Sequence, residues 1–165
     1  MSSASLTSLD FRRALGQFAT GVTVVTVESA PRCVHGMTAN SFTSVSLEPP
    51  LISVCIAENA HLLPLLKEKG VFGVNVLKED QQPLSEFFAC AEQSLMDEEK
   101  MNVRFTWTPE NIPLMENVLC QVACRLHATH IAGDHTIVVG QVLFACLYSG
   151  QPLLFFRGGY TRLAP

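Results

Sequence analysis

An all-β barrel carrying a few short helices is the fold class this sequence predicts, and three observations predict it. Strand-length runs rich in β-branched residues recur, as in Val22–Val27, Leu51–Ala57 and Val71–Leu77. Helical periodicity is confined to short stretches, without the regular strand–helix alternation of βαβ units. Turn signals such as Ala132-Gly133-Asp134 and Gly150-Gln151-Pro152 punctuate the runs at close intervals. The 165 residues suffice for a real core, and residues 1–165 are expected to form a single domain.

Taken in order, Thr7-Ser8-Leu9-Asp10 has the form of an N-cap with an acidic residue three positions on. Phe11, Ala14, Leu15 and Phe18 follow at helical spacing, so a first helix should end between Gly16 and Gly21. Val22–Val27 is a strand, and Val34–Thr38 should return antiparallel to it. Leu51–Ala57, apolar throughout, reads as a strand buried on both faces. Asn59 is placed to cap a short helix through Leu62, Leu63, Leu65 and Leu66 that stops at Gly70. After the strand Val71–Leu77, Asp80 is placed to cap a helix carrying Leu84, Phe87 and Phe88 on one side. Residues 90–108 are acidic and show no period. From Val118 to Leu126 the even positions are apolar, the mark of a half-buried strand. Thr136–Tyr148 is a long strand with Gly140 as a bulge, and Leu153–Arg157 is the last strand.

Composition narrows the function classes. Charged residues are only 16% against 48% hydrophobic, well under the usual quarter or so charged. A monomer so short of charge would have trouble covering its surface, which predicts a homodimer. The net charge of −4 and the absence of Lys/Arg clusters argue against nucleic acid and anionic membranes as partners. The start of the chain has no basic stretch followed by an apolar one, and the apolar runs fall far short of the roughly 18 residues of a membrane span. Six cysteines without a C-x-x-C pair read as reduced thiols in a cytoplasmic protein.

Cys120, Cys124, His127, His130 and His135 resemble a metal cluster only on paper. On a strand, Cys120 and Cys124 would lie about 13 Å apart at about 3.3 Å per residue. A zinc ion holds each sulfur at about 2.3 Å, so these two cannot share one. Neither G-x-G-x-x-G nor G-x-x-x-x-G-K-[ST] occurs, so neither a Rossmann pyrophosphate site nor a P-loop is supported.

The most informative stretch runs from His35 to Pro50. Between Thr38 and Ser46 nearly every residue carries a hydroxyl, an amide or almost no side chain. Such a ribbon predicts a polar loop whose free backbone N–H groups admit a flat ligand, although many Ser/Thr-rich loops are merely solvated.

Phe11–Thr26, His35-Gly36-Met37-Thr38-Ala39-Asn40-Ser41-Phe42, Phe72–Leu77, Phe87-Phe88-Ala89, Gly133-Asp134-His135, Pro152-Leu153-Leu154 and Arg157-Gly158-Gly159-Tyr160 together resemble the flavin reductase family. Its members are the small reductase components of two-component flavin-dependent monooxygenases. The resemblance implies a split, FMN-binding Greek-key β-barrel. It also implies hydride transfer from NADH or NADPH to FMN or FAD, and delivery of reduced flavin to a monooxygenase; a flavin-holding electron carrier of the same fold is the alternative.

By the same resemblance, Thr38, Ala39, Asn40 and Ser41 bind the flavin ring, with Ser46, Cys55, Ile56 and Ala57 lining the pocket. Phe88, Arg157 and Tyr160 are added contacts, and His135 is the candidate for assisting the chemistry by positioning the nicotinamide. The family usually offers a basic residue and a Ser-x-Thr-like set for the flavin phosphate, where this chain has Glu58-Asn59-Ala60-His61. Here a helix N-terminus capped by Asn59, helped by His61, is expected to receive the anion.

Overall fold

A computed structural model of the protein describes residues 6–90 and 102–164. Seven antiparallel strands form its main sheet: β2 (Thr23–Ala30), β3 (Cys33–Ala39), β4 (Thr43–Leu47), β5 (Pro50–Ala57), β6 (Val71–Val76), β9 (Cys120–Ala132) and β10 (His135–Leu147). They run in the order β3-β2-β6-β9-β10-β5-β4. The chain steps from one sheet edge to the other through Asn40–Phe42. No ladder joins β3 to β4 among the described residues, so the barrel stays split. Its interior is a cluster that includes Val25, Val54, Ile56, Phe72, Val74 and Val138.

Helix α1 (Ser8–Leu15) starts as the sequence predicts, with the Asp10 N–H donating to Thr7 Oγ1 at 3.1 Å. It buries none of its residues. Helix α2 (Leu62–Lys69) closes one mouth of the barrel with Leu62, Leu63 and Leu66 and ends on Gly70 in the left-handed conformation. Helix α3 (Gln82–Ala89) lies against β3, where Phe88 packs on Gly36; a Cβ there would stand 2.5 Å from the Phe88 ring. Gly140 does the same for Phe72 in the barrel interior.

Short strands complete the fold: β1 (Thr20–Gly21), β11 (Leu154–Phe156) and β12 (Gly159–Thr161) form one small sheet, β7 (Phe105–Trp107) and β8 (Pro113–Met115) another. The buried Asn75 side chain stitches three strands together. It donates to the Val24 carbonyl and Thr26 Oγ1 and accepts the Met115 N–H.

Several expectations need correction. The polar stretch is not one loop, because Thr43–Leu47 is the edge strand β4, exposed along most of its length. The strand Leu51–Ala57 is fully buried on one face only; Ser53, Cys55 and Ala57 are half-exposed. Asn59 does not cap α2, whose first residue follows His61, and Asp80 does not cap α3, which begins after Gln81. The middle of β9 is buried on both faces because Ile112 and Leu114 cover its second side at Ala123. The last strand is a hairpin, turned at Arg157 and Gly158, both at positive φ. Most of the acidic stretch within 90–108 lies outside the described residues.

Candidate functional site

Backbone alternation divides the predicted site residues into groups. On β5 the even positions Ile52, Val54 and Ile56 point into the barrel, while Ser53, Cys55 and Ala57 face outward. Register extends that outer face across the sheet: Ala57 stands opposite His135, Cys55 opposite Ile137 and Ser53 opposite Val139. The result is a floor whose β5 half is made of small side chains and whose β10 half carries Ile137 and Val139, with an imidazole at one end.

At its other side the floor meets the ribbon at Ser41. The Ser41 hydroxyl accepts the Cys55 N–H at 3.0 Å and donates to the Cys55 carbonyl at 3.1 Å, occupying the place of a missing strand. Asn40 beside it is exposed. Both line an open cleft of about 910 Å³ whose far wall is formed by Phe11 and Leu15 of α1 and by Phe18 just beyond it. Thr20 also lines this cleft, and its buried hydroxyl has no hydrogen-bond partner.

Thr38 and Ala39 turn away from the cleft. The Thr38 hydroxyl donates to the Ser85 carbonyl of α3 at 2.7 Å. Ala39 is buried in the core, and its carbonyl accepts from Thr23 Oγ1. Tyr160 belongs to this inner group, its hydroxyl 2.8 Å from Ser85 Oγ, as does the buried Phe88. Ile56 lies inside the barrel with no exposed surface. Ser46 is half-buried on β4, opposite Leu51.

Arg157 sits apart. Its Nε donates to Gln17 Oε1 at 2.9 Å, and its guanidinium lies over Phe156, 4.9 Å from the ring centroid. Asn59 and His61 are at the barrel mouth, both exposed. The His61 ring faces that of His35 edge-on at 6.4 Å. Burial and the charge of His61 together hold the His35 imidazole below its ordinary pKa.

His135 opens β10 right after the Gly133-Asp134 turn. Its Nδ1 lies 2.8 Å from Asp134 Oδ1, and that hydrogen bond keeps the Asp134 carboxyl below the usual carboxylate range. With Nδ1 engaged, Nε2 is the ring nitrogen left for a ligand. Sequence reasoning missed the cleft's other wall. The signal was present in α1, whose apolar residues recur at helical spacing yet have nothing of the core to cover.

The outer face of β5, tied at Ser41 to a cleft flanked by Phe11, Leu15 and Phe18, thus suits a flat, partly polar molecule. Such a face on a split barrel gives a planar ring a surface to lie on. The chain belongs to the flavin reductase like domain family, whose pattern matches residues 15–164. An NADH-dependent flavin reductase from a Rhodococcus species is 44% identical over 160 residues, covering 96% of this chain and 88% of that protein. The reductase component of 4-hydroxyphenylacetate 3-monooxygenase from Thermus thermophilus is 41% identical, with 93% and 95% covered. Among solved structures, the Streptomyces globisporus NADH:FAD oxidoreductase SgcE6 in complex with NAD and FAD fragments superposes with a TM-score of 0.85. It shares 36% identity, and 98% of each chain is covered.

Proposed function

We propose that this chain transfers a hydride from NADH, or NADPH, to FMN or FAD and delivers the reduced flavin to a partner monooxygenase. The carrying observation is family membership across residues 15–164, with relatives named as NADH-dependent flavin reductases and monooxygenase reductase components over more than nine-tenths of the chain. A bound flavin would supply the electron-accepting ring, a chemistry that no side chain provides.

In this reading the exposed Asn40 offers a polar group to the ring's edge. Ser41 ties the ribbon to Cys55 so that the floor and the cleft meet at a fixed angle. Cys55 and Ala57 keep the floor flat. His135 presents Nε2 where the nicotinamide carboxamide would lie, aligning donor and acceptor rather than moving a proton itself. Thr38, Ala39, Phe88 and Tyr160 support the ribbon from behind.

Exposed Leu47, Leu147 and Ile131, with 92%, 80% and 77% of their surface accessible, favour burial against a second copy of the chain. Six cysteines held as thiols fit a reducing, cytoplasmic setting, and the net charge of −4 without Lys/Arg clusters disfavours nucleic acid and anionic membranes as partners.

Mixing the protein with flavin and NADH without oxygen should bleach the absorbance of both; no turnover with either nicotinamide overturns the reading. Asn40→Ala should weaken flavin affinity about tenfold, and His135→Ala should lower kcat/KM for NADH about tenfold or more, with flavin affinity changed less. Titration by flavin fluorescence and steady-state kinetics separate the two.

A further inference from the structure

Where the family resemblance leads one to expect a cation, the chain has Glu58, and this residue makes two contacts that bracket His135. The Glu58 N–H donates to the Asp134 carbonyl at 3.0 Å, extending the β5–β10 ladder one bond beyond the Ala57–His135 pair. The Glu58 carboxylate accepts the hydroxyl of Thr136, a residue with no exposed surface. Residues 134 and 136, on either side of the histidine, are therefore tied to the same side chain and its backbone. His135 is the end pair of its ladder, and strand ends open most readily. Fixing both neighbours fixes the direction of the His135 Cα–Cβ bond, while the Asp134 carboxylate fixes the ring through Nδ1.

We infer that Glu58 is a positioning residue for His135, holding the imidazole at the floor beside Ala57 where the nicotinamide is received. The inference rests on the reductase reading for its kinetic consequence but not for its structural one. A merely solvated glutamate would leave His135 unaffected. The oxygen of a glutamine can accept the Thr136 hydroxyl as well as a carboxylate can, whereas alanine leaves that buried hydroxyl without its acceptor.

The test compares Glu58→Ala, Glu58→Gln, Thr136→Val and Thr136→Ser in the full chain, each checked for folding by thermal unfolding. Glu58→Ala and Thr136→Val should each raise KM for NADH about tenfold, the size of one lost hydrogen bond, with kcat and flavin affinity changed less. Glu58→Gln and Thr136→Ser should recover most of that loss. Independently of turnover, the His135 ring should give one sharp set of NMR signals in the parent and broadened or doubled signals in Glu58→Ala. Parent-like ring signals in Glu58→Ala overturn the positioning role. A Glu58→Gln variant as impaired as Glu58→Ala overturns it too, because charge would then matter rather than the acceptor. Absence of NADH turnover in the parent, with the NMR difference present, refutes the reductase reading and leaves the positioning role standing.

Discussion

Strand β5 has two faces that do different work with alternate residues of one short segment. Inward, Ile52, Val54 and Ile56 are branched, buried and packed against Phe72 and α2. Outward, Ser53, Cys55 and Ala57 are small, half-exposed and ranged opposite Val139, Ile137 and His135. The inner face is selected by volume, since close-packed interiors tolerate neither gaps nor excess. The outer face is selected by the absence of volume, since anything larger would fill the floor. A one-residue slip would exchange the two sets, so register fixes stability and site together.

The comparison breaks first at Ile56. Ile56→Ala should cost about 2–5 kcal/mol of stability by opening a cavity, with the flavin affinity of the folded fraction close to that of the parent. Ala57→Leu should do the reverse: stability within about 1 kcal/mol, flavin affinity and NADH turnover reduced more than tenfold. Denaturant unfolding and flavin titration on both variants decide the matter. If Ile56→Ala loses flavin more severely than Ala57→Leu, the two faces are not separable.

Ser41→Ala gives a smaller effect that sharpens the boundary between floor and cleft. The change removes both hydrogen bonds to the Cys55 backbone at a rim that water reaches, so the stability loss should be about 1 kcal/mol. Flavin affinity should fall several-fold, because the ribbon would no longer meet the floor at one angle. Parent-like affinity would mean that Ser41 serves the fold alone.

Much of this contrast is legible in the sequence, and the illegible parts share a cause. Thr7 caps α1 and Gly70 ends α2 as local sequence predicts, whereas α2 and α3 start after His61 and Gln81, past the expected caps Asn59 and Asp80. Strand existence was legible from β-branching, but the two-sided burial of Gln121–Cys124 was not, since its cover comes from Ile112 and Leu114 across a separate small sheet. Strand β4 was hidden for the opposite reason: an edge strand exposed along most of its length carries no alternation to detect. For the site, Thr38-Ala39-Asn40-Ser41 was legible as a unit, but not the turning of Thr38 and Ala39 toward α3 and the core. That division depends on β3 meeting Ser85, 47 residues away. The α1 wall depends on contacts as distant as Gln17 with Arg157.

The smallest effect concerns the second imidazole of the barrel, which contrasts with His135. His135 has a carboxylate on its ring, whereas His35 has another histidine facing it and protein around it. Both influences disfavour the charged form of His35, so its pKa in the folded protein lies below the ordinary 6.5. The unfolded chain therefore binds more protons in the range just below 6.5. Stability is fully present above that value and declines as pH falls through the depressed folded pKa. His35→Gln should flatten this part of the stability–pH curve while leaving the neutral-pH plateau nearly unchanged, and the half-exposed position keeps the difference small. Denaturant midpoints between pH 5 and 8, taken on both proteins, measure it. An unchanged slope in His35→Gln would place the acid sensitivity elsewhere and remove His35 as its source.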